Sequence, residues 1–116
     1  MSPRRVHRLM LDHFPACREV DCEWVVAVDQ DGLVVPVAEK LINENIEGDE
    51  LLIEVRRNTG ACLGRSEALA YIKEHAESGM RIANRSFDGF VVIASNGVAT
   101  GWRAEAATST DPERDD

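Results

Sequence analysis

The segment from Asn58 to Ser66 combines residue types that can bind an anion. It reads Asn-Thr-Gly-Ala-Cys-Leu-Gly-Arg-Ser and follows a run with strand character. A glycine-containing loop that opens a helix can point backbone N–H groups at an anion, and the helix N-terminus adds positive potential. The sequence therefore predicts a candidate anion or phosphate site at five residues: Gly60, Cys62, Gly64, Arg65 and Ser66. The alternative is an ordinary strand–helix connection in which Ser66 only caps the helix.

This segment differs from a phosphate-binding P-loop in two respects. Its glycines are separated by three residues rather than four, and Arg65 stands where that motif has lysine. Cys62 lies near the helix start and Arg65, a setting typical of reactive thiols. The sequence places no base close to Cys62, because His75 lies far along the helix. The simpler interpretation of Cys62 is a small apolar residue.

Possible metal ligands occur near the N-terminus and after the first predicted strand. His7, His13, Cys17 and Cys22 are all zinc-ligand types, but their spacing matches no usual zinc finger. The segment 29–32 (Asp-Gln-Asp-Gly) lacks the remaining ligands of a calcium loop and is typical of a turn. We therefore expect no metal and no cofactor.

Acidic residues are concentrated in one part of the chain. Residues 23–58 contain nine acidic and three basic residues, a net charge of −6 within a total of −8. Four of these acids form the candidate partner-binding surface: Glu44, Glu47, Asp49 and Glu50. Such a surface favours a basic protein partner, whereas the simpler interpretation is a solvated helix face and end. A chain this acidic is a poor general binder of nucleic acid, which requires a positive field.

The first residues of the chain have the opposite charge. Arg4, Arg5 and Arg8 surround His7, and we expect this group to pair with the acidic segment of the same chain or of a second subunit. Trp24 and Trp102 are expected to serve as core or interface anchors.

Apolar periodicity and turn residues predict the elements that position these side chains. Helices are expected from Pro3 with Ser2 as N-cap, from Pro36 to before Gly48, and from Ser66 to a left-handed Gly79. Strands are expected at 23–29, 33–35 and 49–57, with 58–65 as a loop.

The last third of the chain contains two hairpin signals. Asn96-Gly97 favours a two-residue turn, which pairs Ile93 with Thr100 and Val91 with Trp102. Asp88-Gly89 is a second candidate turn. Together they predict a C-terminal antiparallel meander.

These elements predict an α+β fold with a single mixed or antiparallel sheet, and with two or three helices packed on one face. Residues 1–103 are expected to form one domain, and 104–116 (rich in Asp, Glu and Pro) an acidic disordered tail. The apolar runs are too short to cross a bilayer. Three cysteines without an export signal favour reduced thiols and a cytoplasmic location.

The sequence contains no convincing catalytic set, so we predict a small non-enzymatic binding or regulatory module that engages a basic protein surface. A homodimer is left open. The alternative is a protein that binds a small anion, or a modest enzyme, through the 58–66 segment. Thiol or metal chemistry at Cys17 and Cys22 is a third hypothesis.

Overall fold

A computed structural model describes residues 1–14, 23–56 and 58–103 of the chain. In these ranges the chain forms three α-helices and eight β-strands. The helices are α1 (Pro3–His13), α2 (Val35–Asn45) and α3 (Arg65–His75), which a 3-10 turn at Ala76–Ser78 continues. The strands are β1 (Val25–Val26), β2 (Val28–Asp29), β3 (Gly32–Leu33), β4 (Glu50–Arg56), β5 (Thr59–Gly64), β6 (Met80–Asn84), β7 (Gly89–Ile93) and β8 (Val98–Arg103).

Six strands form one antiparallel sheet in the order β1-β8-β7-β6-β4-β5, and β2 pairs with β3 in a separate hairpin. The predicted α+β class is confirmed. The C-terminal meander is also confirmed, because β6, β7 and β8 are consecutive neighbours in the sheet. The predicted tail, 104–116, lies outside the described residues.

Helices pack on both faces of the sheet. On one face, α2 and α3 pack with a core that includes Leu51 and Ile53 of β4. On the other face, α1 places Val6 and Met10 against Leu52 of the same strand. Successive strand residues point to opposite faces, so β4 contributes to both cores. Two helices therefore share one face as predicted, and the third lies on the opposite face.

The segment 58–65 is not the loop that the sequence predicts, because most of it forms β5. This strand pairs antiparallel with β4 along its whole length. Gly60 allows close packing here, since a Cβ atom at this position would lie 2.7 Å from the carbonyl oxygen of Ile53 and 3.4 Å from Cγ1 of Val6. Glycine within a strand often marks such a close approach of two segments.

The structure confirms the predicted N-cap of α1 but not that of α3. Ser2 caps α1 as predicted, because its hydroxyl accepts a hydrogen bond from the N–H of Arg5 at 3.2 Å. The N-cap of α3 is Gly64 rather than Ser66, which lies inside the first turn. Gly79 has the predicted positive φ of 79°, but its ψ of 158° lies outside the left-handed helical region.

The β7–β8 hairpin has a three-residue loop, one residue longer than predicted. The N–H of Ala94 donates to the carbonyl of Val98 at 2.8 Å, which closes the loop. Gly97 adopts a φ of 98°. Glycine with positive φ is typical of this loop length.

The longer loop makes the predicted pairing of β7 with β8 wrong by one residue. Ile93 lies opposite Ala99, and Trp102 lies opposite Phe90. A one-residue shift moves a side chain to the other face of a sheet. Trp102 therefore packs on the α1 face, where its ring centroid lies 5.5 Å from that of Phe90.

The predicted strand at 23–29 is divided in two at the buried residue Ala27. The N–H groups of Ala27 and Val28 both donate to the carbonyl of Gly97, at 2.8 and 3.0 Å. The chain then leaves the main sheet and forms the β2–β3 hairpin. β1 is consequently only two residues long.

Helix α2 approaches β7 and β8 closely at two glycines. A Cβ atom on Gly89 would lie 2.0 Å from the carbonyl oxygen of Asn45, and one on Gly101 would lie 2.5 Å from its side-chain nitrogen. Gly89 begins β7 and does not form the predicted tight turn. Its role is to leave room for the end of α2.

We expect Gly89→Ala to lower the free energy of unfolding by roughly 1–3 kcal/mol, because the added methyl group collides with rigid backbone. Urea denaturation monitored by circular dichroism measures this loss. Gly64→Ala is the matched control: its nearest new contact would be 3.5 Å away, so its cost should stay below about 1 kcal/mol. Equal losses in the two variants would contradict the packing role of Gly89.

Candidate functional site

The structure disperses the five residues of the predicted anion site. Gly60 and Cys62 lie within β5, and Gly64 caps α3. Cys62 is half-buried beneath α1, and its Sγ atom lies 3.9 Å from Nη1 of Arg85. Arg65 and Ser66 instead line a depression of ≈ 330 Å³ between α2 and α3.

Arg65 has a structural role that the sequence did not reveal. Its Nε donates to the carbonyl of Gly48 at 2.7 Å, Nη1 contacts the side-chain oxygen of Asn43 at 3.2 Å, and Nη2 donates to the carbonyl of Ile46. The guanidinium thus satisfies carbonyl groups at and just beyond the end of α2, a common task for basic side chains. Anion binding at 58–66 stays a prediction. The guanidinium of Arg65, the cationic group of this segment, already makes three contacts within the chain.

The four acids of the predicted partner surface lie between the end of α2 and the start of β4. Two of them are paired within the chain: Glu47 accepts from Nη1 of Arg103 at 2.8 Å, and Glu50 from Nη1 of Arg85 at 3.2 Å. Nε of Arg103 also donates to the carbonyl of Glu44 at 3.0 Å. These arginines reduce the local negative charge, so the surface is less acidic than the sequence suggests.

Exposed apolar side chains are concentrated at the β1 edge of the sheet. Trp24, Val25 and Val26 are 43%, 37% and 60% exposed, and they are consecutive in the chain. Three neighbouring apolar residues at a sheet edge are a typical feature of an interaction site.

The backbone of β1 is oriented for further pairing. Since the N–H of Ala27 donates inward to Gly97, the alternation of an antiparallel ladder directs the N–H and C=O of Val26 away from β8. These two groups point to the outer edge of the sheet. An extended segment can pair with them.

A groove adjoins this strand on the α2 side, which we call the β1 groove. It has a volume of ≈ 320 Å³, and its lining includes Glu23, Val25, Val37, Lys40, Leu41 and Glu44. Apolar side chains thus occur together with two carboxylates and one ammonium group. Of the predicted partner residues, Glu44 alone lines this groove.

A second polar cluster lies under α1, and the sequence analysis missed it. Glu54 is 5% exposed and is the one buried charged residue in the described part of the chain. Its Oε2 contacts Nδ1 of His7, and its Oε1 accepts from Nε of Arg81 at 2.9 Å and from Nη2. The carboxylate is therefore compensated on both oxygens, as burial of a charge requires.

The sequence did contain a signal for this cluster. Glu54 follows Leu52 by two residues on the alternating pattern of β4, so it shares a face with that buried apolar residue, although Glu50 and Arg56 belong to the same face. A charge at such a position requires a partner. The expected pairing of the basic N-terminal group with the acidic segment is found at His7. The identity of Arg81 as the second partner depends on the β4–β6 register, in which it lies opposite Glu54.

No protein-family model, curated protein or solved structure matches this chain. The candidate sites are therefore assessed from their geometry. Within residues 1–14, 23–56 and 58–103, no group of three or more His, Cys, Asp or Glu side chains is arranged to hold a metal ion. Cys17 and Cys22 lie outside the described residues. None of the described helices is long and apolar enough to cross a membrane.

We expect Glu54→Ala to destabilise the fold by about 2–3 kcal/mol, because it leaves Arg81 and His7 without their shared carboxylate. Both partners are partly exposed, which keeps the loss below that of a fully buried pair. Chemical denaturation at neutral pH measures the change. Glu50 lies on the same strand as Glu54, but its carboxylate is exposed and pairs with Arg85. Glu50→Ala should therefore cost less than about 1 kcal/mol of stability. Equal losses of stability in Glu54→Ala and Glu50→Ala would show that the buried Glu54 cluster does not stabilise the fold more than an exposed ion pair.

Proposed function

We propose that the protein is a non-enzymatic binding module that captures an extended, basic segment of another protein along β1 and in the β1 groove. The observation that carries this proposal is the exposed run Trp24–Val26 at the edge of the sheet. An extended segment adds to such an edge through main-chain hydrogen bonds, and adjacent pockets select its side chains.

The apolar residues of this surface supply the attraction. Val25 lines the groove, whereas Trp24 and Val26 alternate with it and lie toward the other face of the sheet at the same edge. Trp24 is a residue type that often contributes strongly to binding energy. A partner with alternating apolar side chains fits this arrangement, because every second side chain of a strand points the same way.

Charge supports a basic partner. Glu23 and Glu44 line the groove, while Lys40 supplies one opposing charge. The chain carries a net charge of −8, which attracts a basic partner at long range and repels an acidic one. Glu47 and Glu50 each pair with an arginine of the same chain, so they offer a basic partner less net negative charge. We therefore expect the partner to contact Glu23 and Glu44 in the β1 groove.

The proposal is tested with a synthetic peptide of alternating lysine and valine, added to the ¹⁵N-labelled full chain. We expect saturable shifts of the amide signals of Trp24–Val28 and of groove residues, with smaller effects elsewhere. A peptide of alternating glutamate and valine keeps the strand propensity but reverses the charge. It should bind at least about tenfold more weakly, as unfavourable charge contacts oppose it.

The Val26→Pro variant tests the backbone contact. Its N–H points outward, so proline removes a donor for the partner and leaves the β1–β8 bonds in place. We expect peptide binding to fall at least about fivefold while the melting temperature changes little. Val25→Pro is the matched control, because it removes an inward N–H and should lower the melting temperature.

Three outcomes would contradict this function. The first is equal binding of the lysine and glutamate peptides, and the second is unchanged binding by Val26→Pro. The third is a concentration-dependent dimer in sedimentation whose β1 amide signals shift without peptide. That last result would assign the edge to a second copy of the chain.

A further inference from the structure

We propose that a depression on α1 binds a small oxyanion, specifically the phosphate group of a soluble phosphate monoester. This α1 depression has a volume of ≈ 200 Å³ and is lined by Arg4, His7, Arg8, Leu11 and Asn58. It shares no residue with the β1 groove, so its occupant is independent of the partner proposed above.

The helix presents these side chains together. Arg4, His7, Arg8 and Leu11 follow the spacing i, i+3, i+4 and i+7, which places them along one stripe of α1. Val6 and Met10, on a different side of α1, are buried against the sheet. The stripe is therefore fixed in orientation relative to Asn58, which follows β4.

Positive charge dominates the lining. Arg4 and Arg8 supply two guanidinium groups one turn apart, and none of the lining residues carries a carboxylate. Asp12 lies 4.0 Å from Nε of Arg8, but both side chains are more than half exposed and the pair is weak in water. Guanidinium groups match phosphate oxygens in geometry and donate two hydrogen bonds at once.

Buried Glu54 positions the imidazole of this site. The carboxylate contacts Nδ1 of His7, which lines the depression, so Nε2 is the ring nitrogen available to a ligand. An imidazolium donates from both nitrogens and can bridge the carboxylate and a bound oxyanion. Arg81 compensates Glu54 from the other side, which reduces the repulsion between this carboxylate and the anion. Glu54 is accordingly a positioning residue.

The size of the depression limits the class of ligand. A volume of ≈ 200 Å³ accommodates one phosphate group and a short substituent. Leu11, 63% exposed, offers an apolar contact for that substituent. A nucleic acid needs a longer track of positive charge, and the chain as a whole is acidic.

The test is isothermal titration of the full chain with inorganic phosphate and with O-phosphoserine at constant ionic strength. We expect saturable binding of both, with amide shifts along α1 and at Asn58. Arg4→Ala and Arg8→Ala should each weaken affinity about tenfold. Arg5→Ala makes the same charge change on the same helix outside the lining, and should weaken it less than about twofold.

The positioning role of Glu54 is read from the imidazole ¹⁵N signals of His7. Phosphate should shift them in the native chain, and Glu54→Gln should reduce that shift while the circular dichroism spectrum is retained. An unchanged response in Glu54→Gln would remove Glu54 from the site.

Other outcomes would overturn the proposal itself. An equal loss in Arg5→Ala would show unspecific charge attraction, and shifts centred on Arg65 and Ser66 would place the anion between α2 and α3. Co-sedimentation with vesicles containing phosphatidic acid, without a response to phosphoserine, would assign the arginines to a lipid headgroup. Absence of binding by either soluble probe at millimolar concentration would also refute the site.

Discussion

The burial of β4 on both faces is the constraint on which the rest of the structure depends. Four consecutive residues of this strand, Leu51 to Glu54, are buried. Because alternate side chains point to opposite faces, one helix layer cannot cover them all. The α2–α3 layer covers one face and α1 covers the other. Each face then adds its own requirement: close approach of α2 at Gly89, and charge compensation of Glu54 under α1.

The second requirement connects stability to the proposed anion site. A buried carboxylate is tolerated when its oxygens are paired, and His7 and Arg81 meet that condition. The same contacts orient the imidazole and anchor the middle of α1. Arg4 and Arg8 occur on the same helix and face outward as a consequence. A basic depression thus arises on a protein that is acidic overall, through the packing of a single helix.

Four acidic residues outside α1 have two kinds of surroundings. Arginines from β8 and from the β6–β7 connection neutralise Glu47 and Glu50, whereas Glu23 and Glu44 line the groove beside β1. Exposed apolar residues adjoin these two carboxylates. The two proposed binding surfaces therefore differ in charge and in their elements. An anion on α1 and a basic segment at β1 could be bound at the same time without competing for residues.

The sequence by itself determined the α+β class, the approximate positions of the three helices and the C-terminal meander, because periodicity and capping are local properties. It predicted poorly at three glycines: Gly60 and Gly89 serve close packing rather than a loop or turn, and Gly97 lengthens a hairpin loop and shifts its register. The sequence also could not pair Glu54 with Arg81, since the two are distant in the chain. Only the tertiary structure decided which charges neutralise one another, because ion pairing depends on strand register and helix placement rather than on spacing along the chain.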